Sequence, residues 1–132
     1  MHRFRKEEPM EKISTKNAPG AIGPYSQGTI VNGLVYTSGQ IGIDPATGNI
    51  VEGGIEAEAE QVLKNINAIL EAAGASQEKI VKTLCFLTDM NDFAVFNGIY
   101  AKYITNAPAR SCVEVGALPK GALCEIEVIA EI

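Results

Sequence analysis

Apolar residues recur at intervals of three and four between residues 55 and 73, and this spacing predicts an amphipathic helix. The residues of the apolar stripe are Ile55, Ala59, Val62, Leu63, Ile66, Ile69, Leu70 and Ala73. Gly74 follows directly and suits a left-handed C-cap. We expect the first helix to end there.

A second helix is predicted after Asn91 or Asp92, because either side chain can cap a helix N-terminus. The aromatic residues that follow share one face, and Pro108 ends the segment. They are Phe93, Phe96, Tyr100 and Tyr103.

Two apolar, β-rich segments, residues 25–31 and 34–38, flank Asn32-Gly33. Asn-Gly between such segments is the strongest short-range signal for a β-hairpin, since both residues tolerate positive φ. A short strand is expected at residues 13–15 and a buried one at 80–88.

The last two strands, residues 110–115 and 123–132, alternate in character. In the first, Arg110 and Cys112 fall on the side opposite Val113. This order of elements predicts an α+β fold in which two helices cover one face of a single sheet. We expect the other face to carry Arg110, Cys112 and Glu125, and to be covered by another copy of the chain in a homo-oligomer.

The length of 132 residues and the hydrophobic fraction of 46% suit one soluble domain. We expect residues 1–11 to form a flexible N-terminal extension and residues 12–132 the domain. No apolar segment approaches the ~20 residues that span a bilayer, so we expect no membrane association. The first residues lack the apolar stretch of a secretory signal.

The charge and the cysteines indicate location and partners. Three cysteines, an odd count without CxxC spacing, indicate reduced thiols in the cytoplasm. A net charge of −5 repels phosphate backbones, so we expect no nucleic-acid partner.

The residue types and motifs that the sequence lacks exclude several kinds of catalytic site. The one histidine, His2, lies in the extension, which removes Ser-His-Asp and Cys-His nucleophiles and most zinc sites. Neither a P-loop nor a dinucleotide-binding fingerprint is present. We therefore expect no metal and no cofactor, and chemistry drawn from carboxylates, hydroxyls, arginine and backbone groups.

Arg110 is the only arginine outside the extension; every other basic residue there is lysine. Because lysine serves at every other position, this arginine indicates a site that needs the planar guanidinium, whose N–H donors bind a carboxylate bidentately. An ion pair with Glu125 or Glu127 on a neighbouring strand is the alternative.

Glu125 is a candidate base, because a buried carboxylate can hold a water and accept its proton. The alternative is a solvated sheet face shared with Glu127. For each of the further candidates, a purely structural role is the alternative to ligand contact. Cys112 is then a small packed residue, Tyr25 a half-buried aromatic residue, Ser38-Gly39 the end of a strand and Asn97 a surface amide.

Five sequence segments are more specific together than any residue alone. They are Gly23-Pro24-Tyr25-Ser26-Gln27-Gly28, Thr37-Ser38-Gly39-Gln40-Ile41, Asp89-Met90-Asn91-Asp92-Phe93, Pro108-Ala109-Arg110-Ser111-Cys112-Val113-Glu114-Val115, and Leu118-Pro119-Lys120 continuing to Glu125-Ile126-Glu127. In this order they closely resemble the RidA (YjgF) family of reactive-intermediate deaminases. The Arg-x-Cys motif with the later glutamate resembles the imine-hydrolysing branch.

The resemblance implies a chorismate-mutase-like α+β fold, assembled as a homotrimer with sites between subunits. It implies hydrolysis of 2-iminopropanoate and 2-iminobutanoate to 2-oxo acids and ammonia. It also implies the role of each site residue. Arg110 binds the substrate carboxylate, Glu125 positions the water, Gly39 and Cys112 offer backbone groups, and Tyr25, Ser38 and Asn97 line the cleft.

One departure from the family pattern concerns residues 104–107, a short stretch that predicts a more open lip of the cleft. Other functions remain alternatives: a non-catalytic small-carboxylate binder with a regulatory or chaperone-like role, and an endoribonuclease or translation inhibitor. The absence of a folded histidine and the acidic charge argue against the last of these.

Overall fold

The computed structural model describes residues 9–132. Residues 1–8 of the predicted extension lie outside the described residues. The helices and strands are β1 Glu11–Ile13, β2 Gly28–Val31, β3 Leu34–Thr37, α1 Gly54–Ala72, β4 Ile80–Leu87, α2 Phe93–Tyr103, β5 Ala109–Glu114 and β6 Cys124–Glu131. Three short 3-10 turns complete the described chain, at Gln77–Lys79, Met90–Asp92 and Pro119–Gly121.

The strands form one mixed sheet in the order β1-β2-β3-β6-β4-β5. β4 and β5 are parallel, and α2 is the crossover between them, whereas every other pair is antiparallel. The C-terminal strand β6 therefore lies between β3 and β4, and β5 is an edge strand.

Both helices pack on one face of this sheet, so the predicted α+β architecture is confirmed. The apolar stripe of α1 meets the inward residues of β6 and β4. Together with α2 they form the core, whose most buried side chains include Val35, Val62, Leu63, Ile66, Ile69, Leu70, Leu87, Phe96 and Ile126. No helix within residues 9–132 is long and apolar enough to cross a membrane.

Two turns follow the sequence signals directly. Asn32 and Gly33 have φ of 51° and 76°, which is the geometry of a tight hairpin turn between β2 and β3. Gly74 has φ of 81°, and the N–H of Ala75 donates to the carbonyl of Leu70 at 2.8 Å. This arrangement ends α1 as predicted.

The cap of α2 differs from the prediction of Asn91 or Asp92. Asp89 provides the side-chain cap, because its carboxylate accepts from the N–H of Asn91 at 2.9 Å. That bond begins a 3-10 turn, and α2 continues from Phe93 without a further side-chain cap. The turn moves the capping position toward β4.

The predicted orientation of β5 is wrong. Arg110 is the register partner of Thr83 and Cys112 that of Cys85, and both partners are fully buried beneath the helices. Side chains of register partners point to the same face of a sheet. Arg110 and Cys112 therefore face the helices, whereas Glu125 points to the open face. An ion pair of Arg110 with Glu125 or Glu127 is excluded by the same geometry.

Candidate functional site

The Arg110 guanidinium lies against the aromatic face of α2. Its Cζ is 4.8 Å from the ring centroid of Tyr100 and 5.6 Å from that of Phe93, which are cation–π distances. Nη1 donates to Oδ1 of Asn97 at 2.7 Å. The guanidinium is thus held over two rings and fixed in its plane by an amide.

The sequence of α2 explains why one helix supplies all three contacts. Phe93, Asn97 and Tyr100 are spaced by four and then three residues, so they lie on one face of the helix. Because α2 crosses over from β4 to β5, this face lies over the sheet edge that carries Arg110. The Tyr100 hydroxyl is also fixed, at 2.8 Å from the buried Thr83 Oγ1.

Cys112 lies two residues beyond Arg110 on the same face. Burial raises the pKa of its thiol, and the positive charge of Arg110 offsets only part of that rise. The register partner Cys85 is deeper in the core, where burial raises its pKa to about 12. Neither thiol is activated as a thiolate nucleophile, which agrees with Cys112 as a small packed residue.

Glu125 lies on the other face of the sheet, directly against Gly39. A Cβ added at Gly39 would lie 2.8 Å from Cδ of Glu125, which is closer than real Cβ contacts allow. The absence of a side chain at position 39 therefore makes room for the carboxylate. Backbone bonds between Gln40 and Ile126, at 2.9 and 3.1 Å, hold this segment beside β6.

A cavity of about 620 Å³ opens in front of Glu125. Polar groups of its wall include Ser38, Glu127 and Lys120, and apolar wall residues include Ile22, Ile41, Ile43, Pro45 and Pro119. Burial raises the pKa of the Glu125 carboxyl, and the negative charge of Glu127 raises it further. A raised pKa is typical of a carboxyl that exchanges protons near neutral pH.

Tyr25 and Ser38 lie at the rim of the same cavity, and both also line a second hollow of about 710 Å³ on the open sheet face. Tyr25 is 52% exposed. Ser38 is held in place because its hydroxyl donates to the carbonyl of Ser26 at 2.5 Å and its N–H to that of Gln27 at 2.9 Å. The Tyr25 ring is therefore free to contact a ligand, while Ser38 is fixed.

The seven predicted site residues thus form two separate sets. The guanidinium half-site comprises Arg110, Cys112 and Asn97 at the edge of the sheet. The glutamate half-site comprises Glu125, Gly39, Ser38 and Tyr25 around the cavity. Because the sets lie on opposite faces of the sheet, a single chain does not bring them together.

Sequence reasoning missed the aromatic support of Arg110. Phe93 and Tyr100 read as core positions of an apolar stripe, and their contact with a guanidinium depends on where α2 lies relative to β5. The spacing of Asn97 from these two rings is the one signal in the sequence that relates the three residues.

The chemistry available is binding of a small anion and proton transfer by a carboxyl. The guanidinium half-site offers a planar cation, and the glutamate half-site offers an acid of raised pKa beside a cavity. Among residues 9–132, no group of three or more His, Cys, Asp or Glu side chains is placed to hold a metal ion.

Comparison with known proteins gives close relatives over most of the chain. A family model described as Endoribonuclease L-PSP matches residues 15–132. The human 2-iminobutanoate/2-iminopropanoate deaminase is 53% identical over 119 residues, which are 89% of this chain and 87% of the human protein.

Solved structures agree with this result. The Yersinia pestis protein YyfA, of the conserved Rid protein family, is 56% identical, with a TM-score of 0.91 over 94% of this chain and 100% of that one. Escherichia coli TdcF, solved with bound serine, is 44% identical, with a TM-score of 0.88 over 92% of this chain and 98% of its own.

Proposed function

Because the chain belongs to the RidA (YjgF) family, which the Endoribonuclease L-PSP model describes, we propose that it is an enzyme that hydrolyses reactive 2-imino acids and their enamine tautomers. The products are a 2-oxo acid and ammonia. The substrates are 2-iminopropanoate and 2-iminobutanoate, the two that the name of the human relative gives.

The observation that carries this proposal is the fixed orientation of the Arg110 guanidinium. A guanidinium has five N–H donors in a planar fork, and Asn97 engages one of them at 2.7 Å. The rings of Tyr100 and Phe93 hold the plane. A guanidinium fixed in this way is suited to a small planar carboxylate, which every 2-imino acid carries.

The reaction needs orientation and one proton acceptor. Water attacks the electrophilic carbon of the protonated imine. A C–O bond forms, the C=N π electrons move to the nitrogen, and Glu125 accepts one proton of the water, which leaves a neutral carbinolamine. Glu125 then returns that proton to the nitrogen and accepts the hydroxyl proton as the C–N bond breaks and the C=O bond forms, so the products are the 2-oxo acid and ammonia, and loss of the proton to solvent restores the carboxylate. A carboxyl of raised pKa serves both steps, since it exchanges its proton readily in each direction.

The active site takes residues from two subunits of a homotrimer. Arg110 and Glu125 of one chain face opposite sides of the sheet, so a site that uses both needs Glu125 from another copy. The open face also carries partly exposed apolar side chains, among them Tyr36 at 38% and Val113 at 44%. Contact between copies on this face would cover them.

The remaining predicted residues complete the cleft. Gly39 offers its backbone and leaves room for the Glu125 carboxylate, and Cys112 offers backbone groups next to Arg110. Tyr25 and Ser38 line the cavity in front of Glu125. Asn97 acts on the substrate through Arg110, which it holds.

Residues 12–132 carry this activity as one domain, with residues 1–11 as an N-terminal extension whose last residue, Glu11, pairs with Ile30 in the sheet. We place the protein in the cytoplasm, because its three cysteines are free thiols and a reducing compartment keeps thiols in that form.

The test is a coupled assay. A pyridoxal-phosphate-dependent threonine dehydratase releases 2-aminocrotonate, which tautomerises to 2-iminobutanoate, and the rate of 2-oxobutanoate formation is followed. We expect the protein to accelerate that rate. We expect Arg110→Ala to lower kcat/KM by a factor that corresponds to about 2–3 kcal/mol of lost transition-state stabilisation, the scale of a charge-assisted contact. No acceleration by the wild type, or an Arg110→Ala variant as fast as wild type, contradicts the proposal.

A binding protein without catalysis is distinguished by Glu125→Gln. In an enzyme this substitution abolishes turnover but leaves binding of a 2-oxo acid to Arg110 intact, as calorimetry measures. A binder shows the same affinity in both forms and turnover in neither.

A further inference from the structure

Helix α1 carries one carboxylate on its buried side. Glu58 is 5% exposed and lies three residues after Ile55 and four before Val62, both of which belong to the apolar stripe. A charged side chain is rarely buried without a partner. Glu58 has one: its Oε1 accepts from the backbone N–H of Leu123 at 2.8 Å.

This hydrogen bond fixes the chain immediately before the proposed base. Leu123 precedes β6, and Glu125 is the second residue of that strand. The carbonyl of Leu123 accepts from the N–H of Thr88 at 3.2 Å, which ties the same residue to the end of β4. Leu123 is thus held on one side by α1 and on the other by β4.

Helix α1 also supports the segment that follows Gly39. A Cβ added at Gly42 would lie 3.0 Å from Cα of Glu58, so the chain at Gly42 packs directly on α1. Farther along the helix, the Asn65 amide donates to the carbonyls of Ile41 and Ile43 at 3.2 and 2.9 Å. The segment beginning at Gly39 is therefore clamped between α1 and β6.

We propose that Glu58 is a positioning residue for Glu125: its carboxylate anchors Leu123 to α1 and so sets where the carboxylate of the base lies relative to Gly39. The proposal rests on the hydrolytic function argued above. Glu58 points to the helix side of the sheet and Glu125 to the open side, so Glu58 acts through the backbone and touches no substrate.

The role requires an acceptor at the Oε1 position more than it requires a charge. Burial raises the pKa of the Glu58 carboxyl, the Leu123 N–H opposes that rise, and Asp92 adds to it. A glutamine at this position keeps the acceptor without the charge. A methionine of similar size keeps the volume and removes the acceptor.

The experiment compares Glu58→Met with Glu58→Gln, using Ile69→Ala as a control for lost stability. Ile69 is buried in the same helix about three turns away, against β2. Kinetics with 2-iminobutanoate are measured per folded molecule. We expect Glu58→Met to lower kcat about tenfold or more, since small misplacements of a catalytic group have effects of this size.

We expect KM to stay within about twofold in Glu58→Met, because Arg110 binds the carboxylate from another part of the fold. Glu58→Gln should recover most of the wild-type kcat, and Ile69→Ala should lose stability without losing kcat. The proposal is overturned if Glu58→Met retains the wild-type kcat, if Glu58→Gln is as slow as Glu58→Met, or if Ile69→Ala loses kcat equally.

A second readout separates this proposal from the function itself. Carboxyl ¹³C NMR follows the titration of Glu125, assigned by its loss in Glu125→Gln. We expect Glu58→Met to shift that titration and Glu58→Gln to leave it in place. If the wild type shows no turnover, the hydrolytic function fails, and an unchanged titration in Glu58→Met then overturns the positioning role. Should Glu58→Met not fold, Glu58→Asp, which keeps the charge but draws the acceptor away from the Leu123 N–H, takes its place in both measurements.

Discussion

Arg110 and Glu125 of one chain lie on opposite faces of the sheet. Arg110 is aligned with the buried Thr83 beneath the helices, whereas Glu125 is aligned with Phe86 on the open face. Because strand side chains alternate between faces, no change of rotamer brings the two together. The proposed reaction needs both groups, so it would have to take them from different copies of the chain.

Mixing two inactive variants should therefore restore activity. Arg110→Ala supplies an intact Glu125, and Glu125→Gln supplies an intact Arg110. When the two are refolded together in equal amounts, random assembly gives about one quarter of the sites both native residues. We expect turnover near that fraction of wild type. If both residues act within one copy, no site in the mixture is complete and turnover stays at the level of the separate variants.

The acid side of the pH profile should respond to Glu127. Burial and Glu127 raise the pKa of the Glu125 carboxyl, and a base works only when ionised, so kcat falls with decreasing pH through that raised pKa. Glu127→Gln removes the neighbouring negative charge, and we expect the acidic limb of the kcat profile to move to lower pH. A limb that stays in place or moves upward contradicts the assignment.

Glu125 should also lower the stability of the fold at neutral pH. Its folded pKa is raised, so its favourable contribution is complete below the unfolded pKa and is lost as pH rises through the folded value. We expect Glu125→Gln to melt at a higher temperature than wild type at pH 7 and at a similar temperature near pH 4. Thermal unfolding followed by circular dichroism at both pH values checks the sign.

Gly39→Ala should remove activity without unfolding the protein. The added Cβ would meet Cδ of Glu125 at 2.8 Å, so the carboxylate has to move. A displacement near 1 Å lowers kcat by roughly a hundredfold. Gly98→Ala is the matched control, because Gly98 is exposed on α2, does not line the cavity, and a Cβ there meets nothing within 4 Å. Equal kcat for the two variants would show that the contact with Gly39 is unimportant.

Local features of this fold are readable in the sequence. The apolar stripe of α1, the Asn32-Gly33 turn and the alternation of β6 each depend on a few neighbouring residues, and the structure has all three. Gly74 is of the same kind, because its positive φ favours glycine wherever the helix packs. Secondary structure of this type needs no knowledge of distant contacts.

The orientation of β5 could not be obtained in that way. Alternation separates Arg110 from Val113 but does not say which of them faces the helices, and the expectation that charges face outward gives the wrong answer. In the structure Arg110 faces α2, because aromatic rings and Asn97 accept its guanidinium, and Val113 is exposed. The placement of α2 over β5 is a tertiary property.

Glu58 is a second example of a contact that the sequence pattern does not predict. It reads as an acidic residue near the helix N-terminus, favoured there by the helix dipole. Its spacing from Ile55 and Val62 places it on the buried stripe, which is a visible signal. Its partner, the backbone N–H of Leu123, lies 65 residues away in the sequence and is unrelated to it by any motif.

The buried hydrogen bond between Thr83 and Tyr100 offers a last test, one of stability rather than catalysis. The two hydroxyls are 2.8 Å apart in the core. Thr83→Val keeps the shape of the side chain but leaves the phenol without this partner, and we expect a loss of about 1–3 kcal/mol in the free energy of unfolding. Tyr100→Phe should have a similar effect for the same reason.

The double variant Thr83→Val/Tyr100→Phe should be more stable than the sum of the single losses predicts, because neither polar group is then left unsatisfied. Urea denaturation of all four proteins gives the coupling energy. The phenylalanine ring still lies under the Arg110 guanidinium, so we expect KM for the imino acid to stay close to wild type in Tyr100→Phe. Additive losses would show that the two hydroxyls are not coupled, and a large rise in KM would show that the phenol itself, rather than the ring, holds the substrate anchor.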